Sequence, residues 1–233
     1  MVGLAAVLRG FTGFGLALAA VPGLTLVLPP AEAVPCVLLL QIAAGAQLVP
    51  GTRNAIDWGA LAPILIGAIA ATPIGTVLLA GVPADAMRAA IGLVLLAAVV
   101  LLTRRPLVAR RPSLAARGAI GIMSGVLNGS TAMAGPPVIA YFLAASASHA
   151  AGRASLLAYF FLISIASLVS ALAAGLVTVR IVVFAAALLP FMAIGNAVGH
   201  RLFGRASPAA YRRIALATLS AMAVLAIARA LLR

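Results

Sequence analysis

Hydrophobic stretches long enough to cross a membrane follow one another along most of this chain, with short polar joints between them. A transmembrane helix needs about 20 mostly apolar residues, so the 233 residues leave room for about eight such segments. The pattern predicts segments near 1–28, 33–50, 58–80, 83–102, 114–146, 154–176 and 181–199, and a last one that ends at Arg233. We therefore expect an all-α polytopic membrane protein.

Two of these segments contain a glycine-rich interruption. The first lies at residues 9–15 (RGFTGFG) and the second at residues 125–131 (GVLNGST). Gly10 and Gly125 are 115 positions apart, and so are Pro22 and Pro137, which follow the two breaks at the same distance. Hydrophobic segments that are broken at matching positions of two halves point to a substrate site in transporters. We therefore predict two homologous membrane repeats, 1–103 and 114–233, joined by a basic linker at 104–113.

The distribution of arginine predicts the topology. The linker contains four arginines and no acid, which places it in the cytoplasm by the positive-inside rule. If every segment crossed once, the basic joint before the last segment would lie outside. If each broken segment re-enters instead, each half has three full crossings, the halves are inverted repeats and that joint lies inside. We favour this second arrangement, although it places the two C-terminal arginines outside.

Composition excludes several classes of function. Hydrophobic residues make up 65% of the chain and charged residues 8%, against roughly a quarter charged in soluble domains. The net charge of +13 does not indicate nucleic-acid binding, because the arginines lie at segment ends and no basic amphipathic stretch accompanies them. No cluster of residues has metal-ligand spacing, and no serine–histidine pair has an orienting acid. We therefore expect no metal, no cofactor and no enzymatic activity.

The breaks themselves suggest an anion site. Backbone that leaves a helix at membrane depth must be buried in protein or line a cavity. Gly10, Gly13 and Gly15 lack a Cβ and permit such a turn. A half-helix that resumes after a break presents free N–H groups and the positive end of its dipole. Two such ends facing each other would bind a small oxyanion, although glycine-rich breaks that serve only for packing or kinks remain an alternative.

These arguments select the candidate substrate-binding residues. Arg9 is a further candidate, although for Arg9 and Arg153 alike a position at a segment end is the simpler interpretation. The acids Glu32, Asp57 and Asp85 all fall in joints, so the sequence indicates no carboxylate relay for proton coupling. The predicted site comprises Gly10, Thr12, Gly13 and Gly15 in the first break, Asn128, Gly129, Ser130 and Thr131 in the second, and Gln41 and Arg153 beside them.

Small residues also predict one close helix contact. Gly67, Ala71 and Gly75 recur every four residues in the third segment. Such a stripe lets two membrane helices approach closely. We therefore expect this face of the segment to pack against another helix.

The two breaks also carry a family resemblance. Residues 10–15 (GFTGFG), followed by an apolar run through Pro22, resemble the opening of the TauE/SafE sulfite exporter family of membrane permeases. Residues 125–137, with Asn128-Gly129 and Pro136-Pro137, look like the repeated motif of that family. The resemblance covers nearly the whole chain and its duplicated plan. The stretch before Gly10 is short for the family, so we expect the first segment to be incomplete at its start.

The resemblance implies a function that the residues alone leave open. It implies a multi-pass transporter of the bacterial inner membrane for a small anion such as sulfite, a sulfonate, sulfoacetate or a related organic acid. An anion channel on the same scaffold is the alternative, and an intramembrane enzyme is the least favoured. The expected partners are the substrate and membrane lipids, with no nucleic acid, and a homo-oligomer stays open.

Overall fold

A computed structural model describes residues 2–103, 112–146 and 148–205, together with the single positions 207 and 217. No β-strand occurs among these residues. Linker residues 104–111 and the last predicted segment, apart from position 217, lie outside them. The basic joint before that segment is described as far as Arg205, and its His200, Arg201 and Arg205 are helical. The helices are α1 (Val2–Thr12), α2 (Leu16–Leu24), α3 (Pro30–Leu48), a 3₁₀ helix (Pro50–Ala55), α4 (Trp58–Gly81), α5 (Ala84–Thr103), α6 (Leu114–Thr131), α7 (Gly135–Ala145), α8 (His149–Ala173) and α9 (Val179–Arg205).

The all-helical membrane architecture is confirmed. Within the described ranges, four helices are long and apolar enough to cross a membrane: Pro30–Leu48, Trp58–Gly81, His149–Ala173 and Val179–Gly204. Both glycine-interrupted segments consist of two helices, α1 with α2 and α6 with α7. We call these pairs hairpin one and hairpin two, and the residues between their helices, 13–15 and 132–134, tip one and tip two.

Helices α4 and α6 run parallel in close contact. A Cβ on Gly121 would collide with the Ile64 carbonyl of α4. Two turns further along, a Cβ on Gly129 would collide with the Thr72 carbonyl. Because the contacting positions rise together along both helices, the two helices point the same way. The small-residue stripe of α4 is therefore the close packing face that its spacing predicts, and its partner belongs to the second half.

Helices α1 and α9 form the corresponding pair. A Cβ on Gly3 would lie 3.4 Å from the Phe191 carbonyl, and a Cβ on Gly199 would collide with the Val7 carbonyl. This pair is parallel as well. Each hairpin thus packs its first helix against a long helix from the other half of the chain.

Hairpin two returns to the side from which it starts. Arg117, near the start of α6, donates to the Gly59 carbonyl at the start of α4 (2.9 Å). Ser155, near the start of α8, accepts from the Asp57 N–H at the same end of α4 (3.0 Å). Helices α6 and α8 therefore begin on one side of the molecule, and the chain comes back to that side through α7.

Hairpin one returns in the same way. Arg180 at the start of α9 lies 3.7 Å from Glu32 at the start of α3. Further along the same pair, Gln47 donates to the Ala193 carbonyl (3.1 Å), so α3 and α9 are parallel. Since α1 also runs parallel to α9, α2 has to bring the chain back before α3 begins.

Helices α3 and α8 meet with opposite directions. Gly45 faces the Phe161 ring, whereas Asp57, after the end of α3, binds Ser155 near the start of α8. Helices α1, α3 and α9 therefore point one way, and α4, α6 and α8 point the other way. Corresponding helices of the two halves, such as α1 and α6, run in opposite directions. That the halves span a membrane as inverted repeats, with the boundaries predicted above, stays a prediction.

Candidate functional site

Tip one is a buried turn built on two glycines. Gly13 and Gly15 have φ values of 87° and 102°, in the left-handed region that favours glycine. Thr12 ends α1, and its hydroxyl donates to the Leu8 carbonyl (2.7 Å) and accepts from the Phe14 N–H (3.3 Å). The sequence prediction that Gly13 and Gly15 form a turn is confirmed.

Tip two repeats this turn without glycine. Thr131 ends α6, donates to the Leu127 carbonyl (2.7 Å) and accepts from the Met133 N–H (3.2 Å). Ala132 takes the left-handed conformation with φ 55°. Thr12 and Thr131 are 119 positions apart, so the structural register of the two breaks is 119 rather than the predicted 115.

Several residues predicted to form the breaks lie in helices instead. The prediction that the half-helices of the second segment meet at Asn128 to Thr131 is wrong, because α6 continues to Thr131 and the turn follows it. Gly10 is also helical, and a Cβ there would collide with the Asn196 carbonyl of α9. Gly129 packs against α4 in the same way. These two glycines permit close helix packing rather than a turn.

The hydroxyl and amide donors predicted for the anion already have partners inside the protein. Ser130 donates to the Val126 carbonyl (2.8 Å), and the Thr12 and Thr131 hydroxyls bond within the last turns of their helices. The start of α7 is also poorer in donors than expected, because Pro136 and Pro137 have no N–H. The start of α7 therefore offers fewer N–H donors than the start of α2.

Arg153 holds tip one from the second half of the chain. The residue is 2% exposed, and its guanidinium donates to the carbonyls of Gly10 and Phe11, the latter at 3.0 Å. It also lies over the Phe203 ring, 4.2 Å from its centre, and its Nη2 is 3.2 Å from His200 Nδ1. The last carbonyls of α1 carry the negative end of the helix dipole, which a cation stabilises. Arg153 thus lies beside the break as predicted, where it caps α1.

Arg9 is the second buried cation near the breaks, and its position differs from the simpler interpretation of an exposed segment end. It lies in the last turn of α1 and is 1% exposed. Its Nη1 donates to Gln41 Oε1 (3.0 Å), and its Nη2 lies 3.4 Å from the Gln41 carbonyl. Its Nε has no hydrogen-bond partner, and its guanidinium carbon is 5.7 Å from the centre of the Phe160 ring. A full positive charge is therefore buried against a neutral amide.

Gln41 connects this cation to the other hairpin. While its Oε1 accepts from Arg9, its Nε2 donates to the Ala132 carbonyl of tip two (3.2 Å). Gln41 itself is buried in α3. One side chain of the first half therefore joins the arginine of hairpin one to the turn of hairpin two.

Asn128 occupies in hairpin two the place that Arg9 occupies in hairpin one. Both residues accept the N–H of the residue four positions later, at the start of the tip, and they are 119 positions apart. Asn128 is 0% exposed and donates to Ser167 Oγ (2.7 Å), and its Nδ2 is 3.5 Å from the Ile163 carbonyl. Its Oδ1 has no partner. The two halves are thus alike in backbone and unlike in charge at this position.

Ser124 and Tyr159 support tip two, and Phe160 is a neighbour that the sequence reasoning missed. The Tyr159 hydroxyl donates to Ser124 Oγ (2.7 Å), which donates to the Ala134 carbonyl. Tyr159 and Ser155 make the interhelical hydrogen bonds that are the common role of such residues in membrane helices. No sequence signal distinguishes Phe160 from the other apolar residues of α8, because its position beside Arg9 depends on the packing of two distant helices.

The three acids of the chain lie at the starts of helices α3, α4 and α5. Glu32 pairs with Arg180, and Asp85 binds Arg88 at 2.7 Å. Asp57 caps α4 by accepting from the Ala60 N–H (3.0 Å). Over the ranges that the structure describes, no group of His, Cys, Asp and Glu could hold a metal ion.

One cavity of about 530 Å³ lies between α1 and α9, away from these polar residues. Its walls include Leu4, Val7, Phe191 and Ile194, and it contains no charged side chain. An apolar cavity of this kind offers no hydrogen-bond donor to an anion. The polar centre formed by Arg9, Gln41 and the two tips is closed, since its side chains are buried.

Comparison with known proteins places this arrangement in a family. The family model described as "Sulfite exporter TauE/SafE" matches residues 1–226. A curated protein of Cupriavidus necator, "Probable sulfite/organosulfonate exporter TauE", is 29% identical over 215 residues, which cover 89% of this chain and 84% of that protein. No solved structure matches the chain. The chain is therefore a membrane transporter that belongs to the sulfite exporter TauE/SafE family.

Proposed function

We propose that this protein is a secondary transporter that carries a small oxyanion, such as sulfite or an organosulfonate, across the bacterial inner membrane. The proposed substrate class is the one that the name of the Cupriavidus necator relative suggests, and it goes further than the family assignment. It also locates the substrate at Arg9, between the two hairpins.

The observation that carries the proposal is the burial of Arg9 without a carboxylate. A buried charge is costly unless it is paired, and ionisable residues inside membrane segments commonly mark substrate pathways. Gln41 accepts only some of the hydrogen bonds that the guanidinium can donate, and Nε has no hydrogen-bond partner. A small anion bound to Arg9 would supply the missing negative charge. Arg9 is therefore the residue at which an anion would stabilise the protein most.

The geometry of the guanidinium suggests how the anion binds. Its Nε and Nη2 form one of the two edges that can donate two parallel hydrogen bonds to an oxyanion. Nε is free and Nη2 has only the 3.4 Å contact with the Gln41 carbonyl. Gln41 Oε1 accepts from Nη1, so the Nε–Nη2 edge is the one that is left for an anion. Thr12, Ser130 and Thr131 would then support the tips, because their hydroxyls bond to their own helices.

The two hairpins enter the molecule from opposite sides, and this arrangement would allow Arg9 to be exposed to each side of the membrane in turn. Hairpin one approaches the centre from one side of the molecule and hairpin two from the other, and Gln41 joins them through Arg9 and Ala132. We propose that the halves act as inverted repeats, so that opening beside one hairpin exposes Arg9 to one side of the membrane. Opening beside the other hairpin would expose it to the opposite side.

The test is counterflow in proteoliposomes. Purified full-length protein would be reconstituted with internal sulfite or ethanesulfonate, and uptake of external radiolabelled anion would be measured. We expect saturable counterflow in the wild type and loss of it in Arg9→Gln. Arg180→Gln, which removes an arginine whose side chain is 76% exposed, is the matched control and should retain transport.

The outcomes separate the rival functions. Equal counterflow in Arg9→Gln and wild type would overturn the proposed site. Anion currents far above carrier rates, without counterflow, would indicate a channel instead. Hydrolysis of a substrate by the purified protein would indicate an enzyme.

A further inference from the structure

The charges around Arg9 restrict the kind of anion that fits. Of the chain's three acids, Glu32 and Asp85 pair with arginines near the starts of helices, and Asp57 caps α4. The guanidinium of Arg9 donates to Gln41, which is neutral. At this point the protein therefore offers one positive charge and no fixed negative one.

The other buried groups near the tips do not add a second free charge. Asn128, at the position that corresponds to Arg9, is neutral and has donated its amide hydrogens to α8. Arg153 donates to the carbonyls that end α1, whose dipole offsets about half of its charge, and its guanidinium lies against His200 and Phe203 of α9. The centre is thus asymmetric, with one cation from hairpin one and a neutral amide from hairpin two.

Burial makes the charge of the ligand decisive. A monoanion on Arg9 forms a neutral complex, which costs little to hold at membrane depth. A dianion of the same shape leaves one negative charge without a partner in surroundings of low dielectric. Shape and hydrogen bonding alone would not separate the two ligands, because an Arg fork donates to sulfonate and sulfate oxygens equally well.

From this balance we infer that the site selects anions by charge and takes monoanions, such as hydrogensulfite and monosulfonates, in preference to dianions such as sulfate. The inference rests on the proposed function, since it concerns the same Arg9 site. It adds a rule that the family assignment does not contain, namely that the number of negative charges decides between oxyanions of one geometry.

The experiment compares two ligands of matched shape on the unmodified protein. Affinities of purified full-length protein for methanesulfonate and sulfate would be measured by titration calorimetry at one pH and fixed ionic strength. Both ions are tetrahedral at sulfur, and a methyl group in the first replaces a charged oxygen in the second. We expect methanesulfonate to bind at least about tenfold tighter, since an unpaired charge in a membrane interior costs more than the 1.4 kcal/mol that a factor of ten represents. Ethanesulfonate and 1,2-ethanedisulfonate form a second pair with the same expected order.

Dependence on Arg9 identifies the site that is being measured. Binding of methanesulfonate should be lost in Arg9→Gln and weakened about 100-fold in Gln41→Glu, which places a carboxylate beside the arginine. The second variant keeps the test valid if the first fails to fold. Sulfate binding as tight as methanesulfonate, and still dependent on Arg9, would overturn the charge rule and leave the anion transporter intact. Absence of binding by every anion would overturn both the rule and the proposed site.

Discussion

Replacement of Gln41 by glutamate provides a sharp test of the buried arginine as the anion partner. The change keeps the shape of the side chain and places a carboxylate oxygen where the amide oxygen now lies, 3.0 Å from Arg9 Nη1. It also removes the donor that now binds the Ala132 carbonyl at 3.2 Å. The variant protein would therefore carry an internal anion on the arginine and a weakened contact with tip two.

The new ion pair with Arg9 is worth more than the lost hydrogen bond to Ala132, so the affinity for an external anion should fall. An ion pair about 4 Å apart at an effective dielectric constant of about 20 is worth roughly 4 kcal/mol. Loss of the hydrogen bond to tip two costs about 1–2 kcal/mol. The internal carboxylate thus keeps an advantage of about 2–3 kcal/mol, and an external anion that competes with it loses about 100-fold in affinity.

The assay is titration of purified protein with methanesulfonate, with thermal unfolding as a check on folding. Gln47→Glu is the matched control, because Gln47 lies on the same helix, is exposed and contacts Ala193 and Asn196 rather than an arginine. We expect the control to bind like the wild type. If Gln41→Glu folds and binds the anion with unchanged affinity, then Arg9 is not its partner and the reasoning fails.

Three further predictions concern the packing of the hairpins. Gly75→Ala should destabilise the detergent-purified protein by about 1–3 kcal/mol, because the new Cβ would come within 2.8 Å of the backbone of α6, whereas Gly81→Ala, with no atom within 4 Å, should not. Gly13→Ala should lower the free energy of unfolding more than Gly175→Ala does. Both variants place alanine in the left-handed conformation, which costs about 1–2 kcal/mol, but only the Cβ at Gly13 also lies 3.0 Å from Arg153. Equal costs would remove that contact from the argument. Arg153→Lys should speed amide hydrogen exchange at tip one and not at tip two, with a loss of about 1.5–3 kcal/mol in the free energy of unfolding.

The register of the duplication shows how far a sequence pattern can be read. Gly10 matches Gly125 at 115 positions and Gly129 at 119, because glycines that pack helices recur every four residues. Sequence matching is therefore ambiguous by one helical turn. The structure resolves the ambiguity through the hydrogen bonds of Thr12 and Thr131, which sequence alone does not identify as helix ends.

The two kinds of glycine explain why only part of the site was predictable. Gly13 adopts a positive φ, and Gly10 lies against the backbone of another helix. Each position requires a residue without a Cβ, but for a different reason. The sequence indicates the absence of a side chain and not the reason for it. Ala132 could not be predicted as a turn residue, because alanine rarely takes the left-handed conformation.

The buried arginines depend on contacts that are distant in the chain. Arg153 binds carbonyls more than 140 positions away, and Arg9 binds a glutamine 32 positions away. The segment pattern places both arginines near helix ends, where exposure to water is the usual outcome. Their burial follows from hairpin folding, so the helical class and the two arginines as candidates could be predicted, and their burial could not.

The exchange of partners between the halves has a consequence for how the protein is made. Helix α1 emerges from the ribosome long before its parallel partner α9, which begins only at Val179. Until then the face of α1 that contains Gly3 and Gly10 has no helix to close against it. Hairpin one must therefore stay in the membrane, or beside it, as an unfinished element through most of synthesis. Interruption of translation before α9 would leave a product whose first helix lacks its partner, and a quality-control protease could recognise that exposed helix.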